Sequence, residues 1–236
     1  MVPILKLLPW ETNYFGFRFG RLTIRGRTTA RKISTVLAKS RYRFVLSRVL
    51  TTDTYAATAL ENSGFRVKDI RVHLDIELKD LREWERNAET EFRAYRARDV
   101  PSLRKIASGS FRLDHFHQDE RFDPGTIDRM YSLWIDKCVK EKYFIETAHI
   151  GGKLAGFVAS KNDSGSYYIE LVAVGERFRG RGLATDLVAY SLEKAASKFA
   201  RATVGVQLSN VAAVRVYERL GFRLSSSEYT FHWWRD

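Results

Sequence analysis

The 236-residue sequence has one cysteine, Cys138, and only four prolines. A single cysteine can form no internal disulfide and excludes a cysteine-based metal cluster, which is typical of a reducing cytoplasm. No run of about 18 apolar residues occurs, so the sequence predicts no membrane-spanning helix. The opening MVPILKLLPW has neither a basic flank before it nor a small-residue cleavage site after it, and does not predict a signal peptide. We expect a cytoplasmic protein with no metal.

Acidic residues are missing from one long basic stretch. Between Thr12 and Thr52 there is no Asp or Glu, and this segment carries most of the net charge of +12. Apolar residues are interspersed among its charges, which indicates folded structure. Two interpretations stay open: an anionic partner (a phosphorylated ligand, nucleic acid or an acidic protein) or a solvated basic face. The ten basic residues of this segment are Arg18, Arg21, Arg25, Arg27, Arg31, Lys32, Lys39, Arg41, Arg43 and Arg48.

Hydrophobic periodicity predicts the elements of the second half. From residue 91 the expected order is a strand, two helices, three strands, a helix, a strand, a helix and a strand. Gly151-Gly152 is a strong hairpin signal between two of these strands. An amphipathic helix over about 126–140 places Cys138 in the core, so we interpret this thiol as structural and not as a nucleophile.

The first half of the sequence is weakly similar to the second. Both contain a helix end followed by Gly-Phe-Arg and a strand, with Gly64 corresponding to Gly221. The charged segment 79–90 (KDLREWERNAET) is predicted to be a linker. The sequence therefore predicts an N-terminal domain over 1–85, a degenerate copy of a C-terminal domain over 91–236. Gly-Phe after a helix is also common without any repeat.

The segment RFRGRGLATD (177–186) follows the clearest strand, YYIELVAV, and opens a helix. The first amides of a helix have no internal partners and attract anions, and glycines let a phosphate approach them. The segment contains neither GxxxxGK[ST] nor GxGxxG with a downstream acidic residue, which excludes the two most familiar phosphate loops. We predict a pyrophosphate site here.

The spacing Arg177-x-x-Gly180-x-Gly182 resembles the [RQ]-x-x-G-x-[GA] signature of the GCN5-related N-acetyltransferases. The ending SNVAAVRVYERLGF, with Asn210 and Tyr217, is similar to that family's Asn and Tyr pattern before Gly-Phe. The resemblance covers about residues 91–236. It implies an α/β fold with a mixed central sheet flanked by helices, and acetyl transfer from acetyl-CoA to an amine.

The resemblance also implies roles for individual residues. The strands holding Val172 and Thr203 are expected to splay apart and admit the thioester, and Tyr217 to protonate the departing thiolate. Glu170 is a candidate base acting through water, or an outward-facing strand residue without a role. The expected acetyl-CoA contacts are Leu171, Val172, Ala173 and Val174 on the strand, Arg177, Phe178, Arg179, Gly180, Arg181, Gly182, Leu183 and Ala184 in the loop and helix, and Asn210 and Tyr217.

The start of the chain, LPWETNYFGFRFGRLTI (8–24), resembles the dTDP-fucosamine acetyltransferases, which acetylate a nucleotide-linked amino-deoxysugar. That resemblance implies an N-terminal half contributing to the acceptor site. A second candidate wall is the loop 111–125, which also holds Asp114; its alternating histidines find no third metal ligand nearby. The expected acceptor contacts are Trp10, Tyr14, Phe15, Arg112, His115, His117 and Arg121.

Alternatives remain for the acceptor, the assembly and the class of protein. A protein N-terminus, a lysine or a small polyamine is the second candidate acceptor. A non-catalytic nucleic-acid-binding module is the alternative from another class, because arginine-glycine pairs also occur in RNA-binding segments; nucleic acid is the less expected partner. The aromatic final strand TFHWW either pairs with a second copy, giving a homodimer, or closes the core.

Overall fold

The computed structural model describes residues 3–235, which form two compact units. Within those residues, the first unit comprises 3–72, 207–209 and 226–235, and the second comprises 73–206 and 210–225. No helix among the described residues is long and apolar enough to cross a membrane.

In the first unit, β1 runs antiparallel to β2, β2 parallel to β3, and β3 antiparallel to β10. Its core contains Leu22, Ile33, Leu37, Leu60 and Phe65. Its elements are β1 (Ile4–Leu7), α1 (Pro9–Phe15), β2 (Phe19–Thr23), α2 (Ala30–Ala38), β3 (Phe44–Leu50), α3 (Thr54–Glu61), the first part of β4 (Arg66–Glu77) and most of β10 (Arg223–Trp234).

In the second unit, strands β5 to β8 form an antiparallel series, and β9 lies parallel to β8. This mixed sheet with its helices confirms the α/β fold class. The elements are the rest of β4, β5 (Glu91–Ala94), α4 (Val100–Ser108), α5 (Pro124–Lys140), β6 (Phe144–Ile150), β7 (Lys153–Asp163), β8 (Ser166–Val174), α6 (Leu183–Ala195), most of β9 (Arg201–Gln207) and α7 (Val211–Leu220). The order expected from residue 91 onward is confirmed.

The two halves of the sequence share an order of elements. The series β2-α2-β3-α3-β4 in the first half matches β8-α6-β9-α7-β10 in the second. Gly64 and Gly221 both have positive φ, 88° and 100°. The phenylalanine after each is buried and donates its backbone N–H to the carbonyl five residues earlier, Leu60 in one case and Tyr217 in the other. These shared features support the internal repeat.

The boundary between the units differs from the predicted one. Two strands are divided between the units. Residues 226–234 of β10 belong to the first unit, and residues 73–77 of β4 belong to the second. The segment 79–90 lies within the second unit rather than linking two domains. Two of its side chains contact α6: the indole N–H of Trp84 donates to Asp186 over 2.7 Å, and Arg86 pairs with Glu193 at 2.6 Å. The charged sequence of the segment did not indicate these contacts.

Candidate active site

Strand β8 contains a bulge at Glu170. Leu171 lies opposite Ala159 on β7, but the next pair is Ile169 with Ser160, so Glu170 is the additional residue. A bulge bends its strand and increases the local twist. The bend coincides with the place where β8 leaves β9.

The gap between β8 and β9 begins at this bulge. Their parallel pairing runs from Tyr167 with Ala202 to Ile169 with Val204, whereas the pairing of β8 with β7 continues to Val174. Val172 therefore lies in the opened part, as expected. Thr203 pairs with Tyr168 and lies before the opening. The expectation that the strands separate at Thr203 is therefore not met.

The open edge of β8 exposes only alternate backbone groups. The N–H of Gly175 donates to the carbonyl of Ala155 on the β7 side over 2.8 Å. Because hydrogen-bonding directions alternate along an antiparallel pair, Ala173 and Leu171 also direct their backbone groups to β7. The amides and carbonyls of Val172 and Val174 consequently face the gap. Of the four expected strand contacts, these two have the matching orientation.

The glycine loop after β8 has the backbone geometry of an anion site. Gly180 and Gly182 have φ of 77° and 78°, and a side chain added at either would meet nothing within 4 Å. Gly182 precedes α6, and the first bonds of this helix close back onto its carbonyl from Thr185 and Asp186. The intervening N–H groups of Leu183 and Ala184 belong to the first turn, where a helix leaves its donors available to a ligand.

The guanidinium group of Arg179 holds the loop in place through hydrogen bonds to backbone carbonyls. Its Nε donates to the carbonyl of Val174 over 3.0 Å, and its Nη2 lies 3.3 Å from the carbonyl of Gly109. Arg177 and Arg181 are exposed in the same loop. The three arginines thus differ: one ties the loop to the end of β8 and to the turn after α4, and two present charge to solvent. Phe178 is half-buried in the helical turn 176–178.

Tyr217 and Asn210 lie on α7. Tyr217 is 4% exposed, and burial raises the pKa of its phenol well above the ordinary value, so the hydroxyl is protonated at neutral pH. That is the state a general acid requires. Asn210 is the N-cap of the helix, because its side-chain oxygen accepts from the N–H of Ala213 over 3.1 Å. Its carbonyl oxygen is therefore engaged locally.

Glu170 is ion-paired. Its Oε2 lies 2.5 Å from Nζ of Lys161 on β7, and the two side chains are 15% and 34% exposed. The rings of Tyr143 and Tyr168 lie 5.5 and 5.2 Å from the same ammonium. Glu170 is therefore a partly buried, ion-paired residue, and its role as a base stays a prediction. Lys161 and Tyr143 were missed from the sequence, where a lysine in the apolar run AGFVASK was the only signal.

The loop 111–125 uses several of its expected acceptor residues for its own structure. Nδ1 of His117 lies 2.5 Å from Asp114, and its Nε2 lies 3.3 Å from Asp128. Arg112 pairs with Asp128 at 2.8 Å, and His115 is 6% exposed. Burial opposes the charged form of His117, but its bonds to Asp114 and the charge of Asp128 raise its pKa above the ordinary value. Arg121 donates its backbone N–H to Asp119 over 3.3 Å.

Among residues 3–235, no group of three or more His, Cys, Asp or Glu side chains could hold a metal ion. Cys138 is buried, and burial raises the pKa of its thiol to about 12, which leaves it an unreactive thiol.

Trp10, Tyr14 and Phe15 lie on α1 in the first unit. Their half-buried rings contact one another: Trp10 stacks on Tyr14 at 5.7 Å, and Tyr14 meets Phe15 edge-on at 5.0 Å. Their part in acceptor binding stays a prediction.

The chain is similar to two named proteins over somewhat more than half of its length. The SpsD protein of Bacillus subtilis (strain 168), named for spore coat polysaccharide biosynthesis, is 27% identical over 138 residues, covering 58% of this chain and 48% of that protein. A mycothiol acetyltransferase from Mycobacterium sp. (strain MCS) is 30% identical over 141 residues, covering 56% of this chain and 45% of that protein. The chain thus spans about half the length of the curated relatives it matches.

A solved structure with the same fold is that of a functionally unknown conserved protein from Staphylococcus epidermidis ATCC 12228. Its TM-score is 0.74 at 14% identity, over 100% of this chain and 92% of that one, which shows the fold alone. The model of the acetyltransferase (GNAT) family matches residues 101–222, which include the bulged strand, the glycine loop and Tyr217. With more than half of its length matched, the chain belongs to the GNAT acetyltransferase family.

Proposed function

We propose that this chain is an N-acetyltransferase that moves an acetyl group from acetyl-CoA to a primary amine. The observation that carries the proposal is the opening of β8 from β9 at Glu170, immediately before the glycine loop at the start of α6. An extended pantetheine arm fits a free strand edge, as in strand addition to a sheet. The anionic diphosphate of acetyl-CoA fits the amides of the adjoining helix terminus.

The chemistry requires alignment and proton movement, without a nucleophilic side chain. The neutral amine attacks the thioester carbonyl, the new C–N bond forms, and the C–S bond breaks. The amine gives up a proton, for which Glu170 is the candidate acceptor through water. Tyr217 donates a proton to the departing thiolate, and its raised pKa keeps it in the donating form. The N–H groups of Val172 and Val174 face the gap in which the thioester would lie.

For the acceptor, we propose an amino-deoxysugar carried on a nucleotide. Lys161 neutralises the carboxylate at the bulge, and His117 and Arg112 engage Asp114 and Asp128. These carboxylates therefore offer no acidic wall for a polyamine or a basic peptide. The basic segment 12–52 suits a diphosphate. The name of the SpsD relative refers to polysaccharide biosynthesis and supports a sugar as the acceptor. The name of the mycothiol acetyltransferase supports a small-molecule acceptor.

The test combines thermal melting with release of free CoA thiol. Saturating acetyl-CoA is expected to raise the melting temperature, since a ligand that binds only the folded state stabilises it. Thiol release is then followed with nucleotide-linked amino sugars, free amino sugars, polyamines and N-terminal peptides as acceptors. The proposal expects the highest kcat/KM with a nucleotide-linked amino sugar.

Two results would overturn the proposal at different levels. If polyamines or peptides are the best acceptors, acetyl transfer stands and the sugar acceptor is wrong. If acetyl-CoA leaves the melting temperature unchanged and no thiol is released, acetyl transfer is wrong. A salt-sensitive mobility shift with nucleic acid in that case would favour the binding-module alternative.

A further inference from the structure

The ammonium of Lys161 is contacted by three groups from two parts of the second unit, strand β8 and the turn before β6. Glu170 contacts it from the β8 bulge, Tyr168 lies directly opposite it in the β7–β8 register, and Tyr143 covers it from the turn before β6. This is more than a surface ion pair, because two aromatic rings and a carboxylate fix one nitrogen.

The charges in this cluster depend on each other. Burial disfavours the charged form of Lys161, but its contacts with Glu170 and Tyr143 raise its pKa above the ordinary value. Burial, reinforced by the charge of Glu170, raises the pKa of both Tyr143 and Cys138 to about 12. At neutral pH Lys161 therefore carries its charge, and the Tyr143 phenol and the Cys138 thiol on α5 are neutral.

The position of Glu170 makes the pair relevant to the reaction. The carboxylate stands on the extra residue of the bulge, where β8 leaves β9. Glutamate has several rotatable bonds, and a bulged backbone gives it no cross-strand partner of its own. The lysine supplies the contact that fixes its direction.

We propose that Lys161 is a positioning residue for acetyl transfer: its ammonium holds the Glu170 carboxylate beside the β8–β9 gap, oriented to accept the proton of the acceptor amine. This inference rests on the proposed function. It gives Lys161 no contact with the thioester or the amine, and its effect on the rate passes entirely through Glu170.

A double-mutant cycle on the full chain tests this proposal. Lys161→Met keeps the aliphatic stem between the two rings and removes the charge, and Lys161→Arg restores a cation. We expect Lys161→Met to lower kcat at pH 7 by at least about tenfold with little change in the KM for acetyl-CoA. Lys161→Arg should recover most of the rate. In a Glu170→Gln background, Lys161→Met should have no further effect on kcat.

The pH profile separates positioning from simple structural support. Because Lys161→Met removes the counter-charge beside the proton acceptor, the acidic limb of kcat/KM should move to higher pH in this variant. The matched control is Lys194→Met on α6, which removes another lysine paired with a buried glutamate, Glu146, at 2.8 Å and lying over a tyrosine ring. This control should leave the profile unchanged. Melting curves of each variant show whether it is folded, and Lys161→Gln replaces Lys161→Met if the latter is not.

Each outcome has a distinct meaning. A wild-type pH profile and rate in Lys161→Met contradict the positioning role while acetyl transfer stands. An equal loss from Lys161→Met in the wild-type and Glu170→Gln backgrounds contradicts action through Glu170. If the wild-type protein releases no thiol with any acceptor, the proposed function fails and the role of Lys161 fails with it.

Discussion

At the scale of single residues, Gly182 holds a backbone conformation that a side chain would strain. Its φ is 78° and the space around it is open, so the cost of alanine comes from the backbone rather than from a clash. We expect Gly182→Ala to lower the free energy of unfolding by about 1 kcal/mol. Because the strain shifts the first amides of α6, affinity for acetyl-CoA should fall by roughly tenfold. Calorimetric titration and urea unfolding measure the two effects.

Gly165 is the matched control for this prediction. It lies in the β7–β8 turn with φ of 89° and also has open space around it. Gly165→Ala should cost about the same stability, and leave acetyl-CoA affinity unchanged. Equal losses of affinity in both variants would mean that the glycine loop has no special part in binding.

His117 gives a residue-level prediction for pH dependence. Its pKa is raised in the folded protein by Asp114 and Asp128 against the effect of burial. The stability from this charge is therefore fully present below the unfolded pKa of about 6.5 and is lost as the pH rises through the folded pKa. Relative to the wild type, His117→Gln should lose about 1.5 kcal/mol near pH 6 and less near pH 9. Urea unfolding at both pH values measures the difference, and an equal loss at both would contradict the paired-imidazolium interpretation.

At the scale of elements, Asp99 joins β5 to the start of α4. Its carboxylate receives two bonds from Arg93 on β5, at 2.7 and 3.1 Å, and one from the backbone N–H of Arg96 at 2.7 Å. The side chains of Asp99 and Arg93 are 8% and 16% exposed. Removing one partner of such a pair leaves the other charge buried and uncompensated.

We expect Asp99→Asn to destabilise the fold by about 3 kcal/mol at pH 7. The bond from Arg93 lowers the pKa of Asp99, so this stability is present above the unfolded pKa of about 3.9 and is lost as the pH falls through the folded pKa. The difference between wild type and variant should shrink at pH 3, as measured by chemical unfolding.

A solvent-exposed pair provides the comparison. Arg104 and Asp136 lie 2.5 Å apart with side chains 45% and 37% exposed. Asp136→Asn should change stability by less than about 1 kcal/mol. A loss equal to that of Asp99→Asn would show that burial does not determine the strength of the β5–α4 contact.

The elements of the second unit could be predicted because their signals are local. The apolar positions of α5 repeat at helical spacing, and Gly182 and Gly221 mark helix ends in the sequence itself. The bulge at Glu170 could not be predicted, because it depends on the register of two strands. The contact between Lys161 and Glu170 and the bond from Trp84 to α6 could not be predicted either, because each joins residues on different elements.

The candidate site was predictable to a similar degree. The glycine loop could be proposed as an anion site from the sequence, because a family motif and the physics of a helix terminus indicate the same residues; its binding of acetyl-CoA stays a prediction. The role of the loop 111–125 could not be predicted, because the sequence does not distinguish a histidine that binds a ligand from one held between two aspartates. His117 is of the second kind in this structure.

At the scale of the whole molecule, the two halves share an order of elements but differ in their loop sequences and in their charge. The glycine loop of the second half has no full counterpart in the first, where RGRTTA follows β2 in place of RGRGLA. The first half instead carries the ten basic residues of segment 12–52. A field of one sign raises the rate at which ligands of opposite sign arrive.

This charge predicts how the acceptor reaction responds to salt. With acetyl-CoA saturating, kcat/KM for a nucleotide-linked amino sugar should fall at least about tenfold between about 0.05 and 0.5 M salt, because screening shortens the reach of the field. A free amino sugar without phosphate should change little. Replacing the exposed Arg31 and Lys32 of α2 with serine should flatten the response, whereas the same change at Lys140 and Lys153 in the second unit should not. Equal salt dependence for both acceptors would mean that the basic segment acts as a solvated face, and would remove the charge argument for a phosphorylated acceptor.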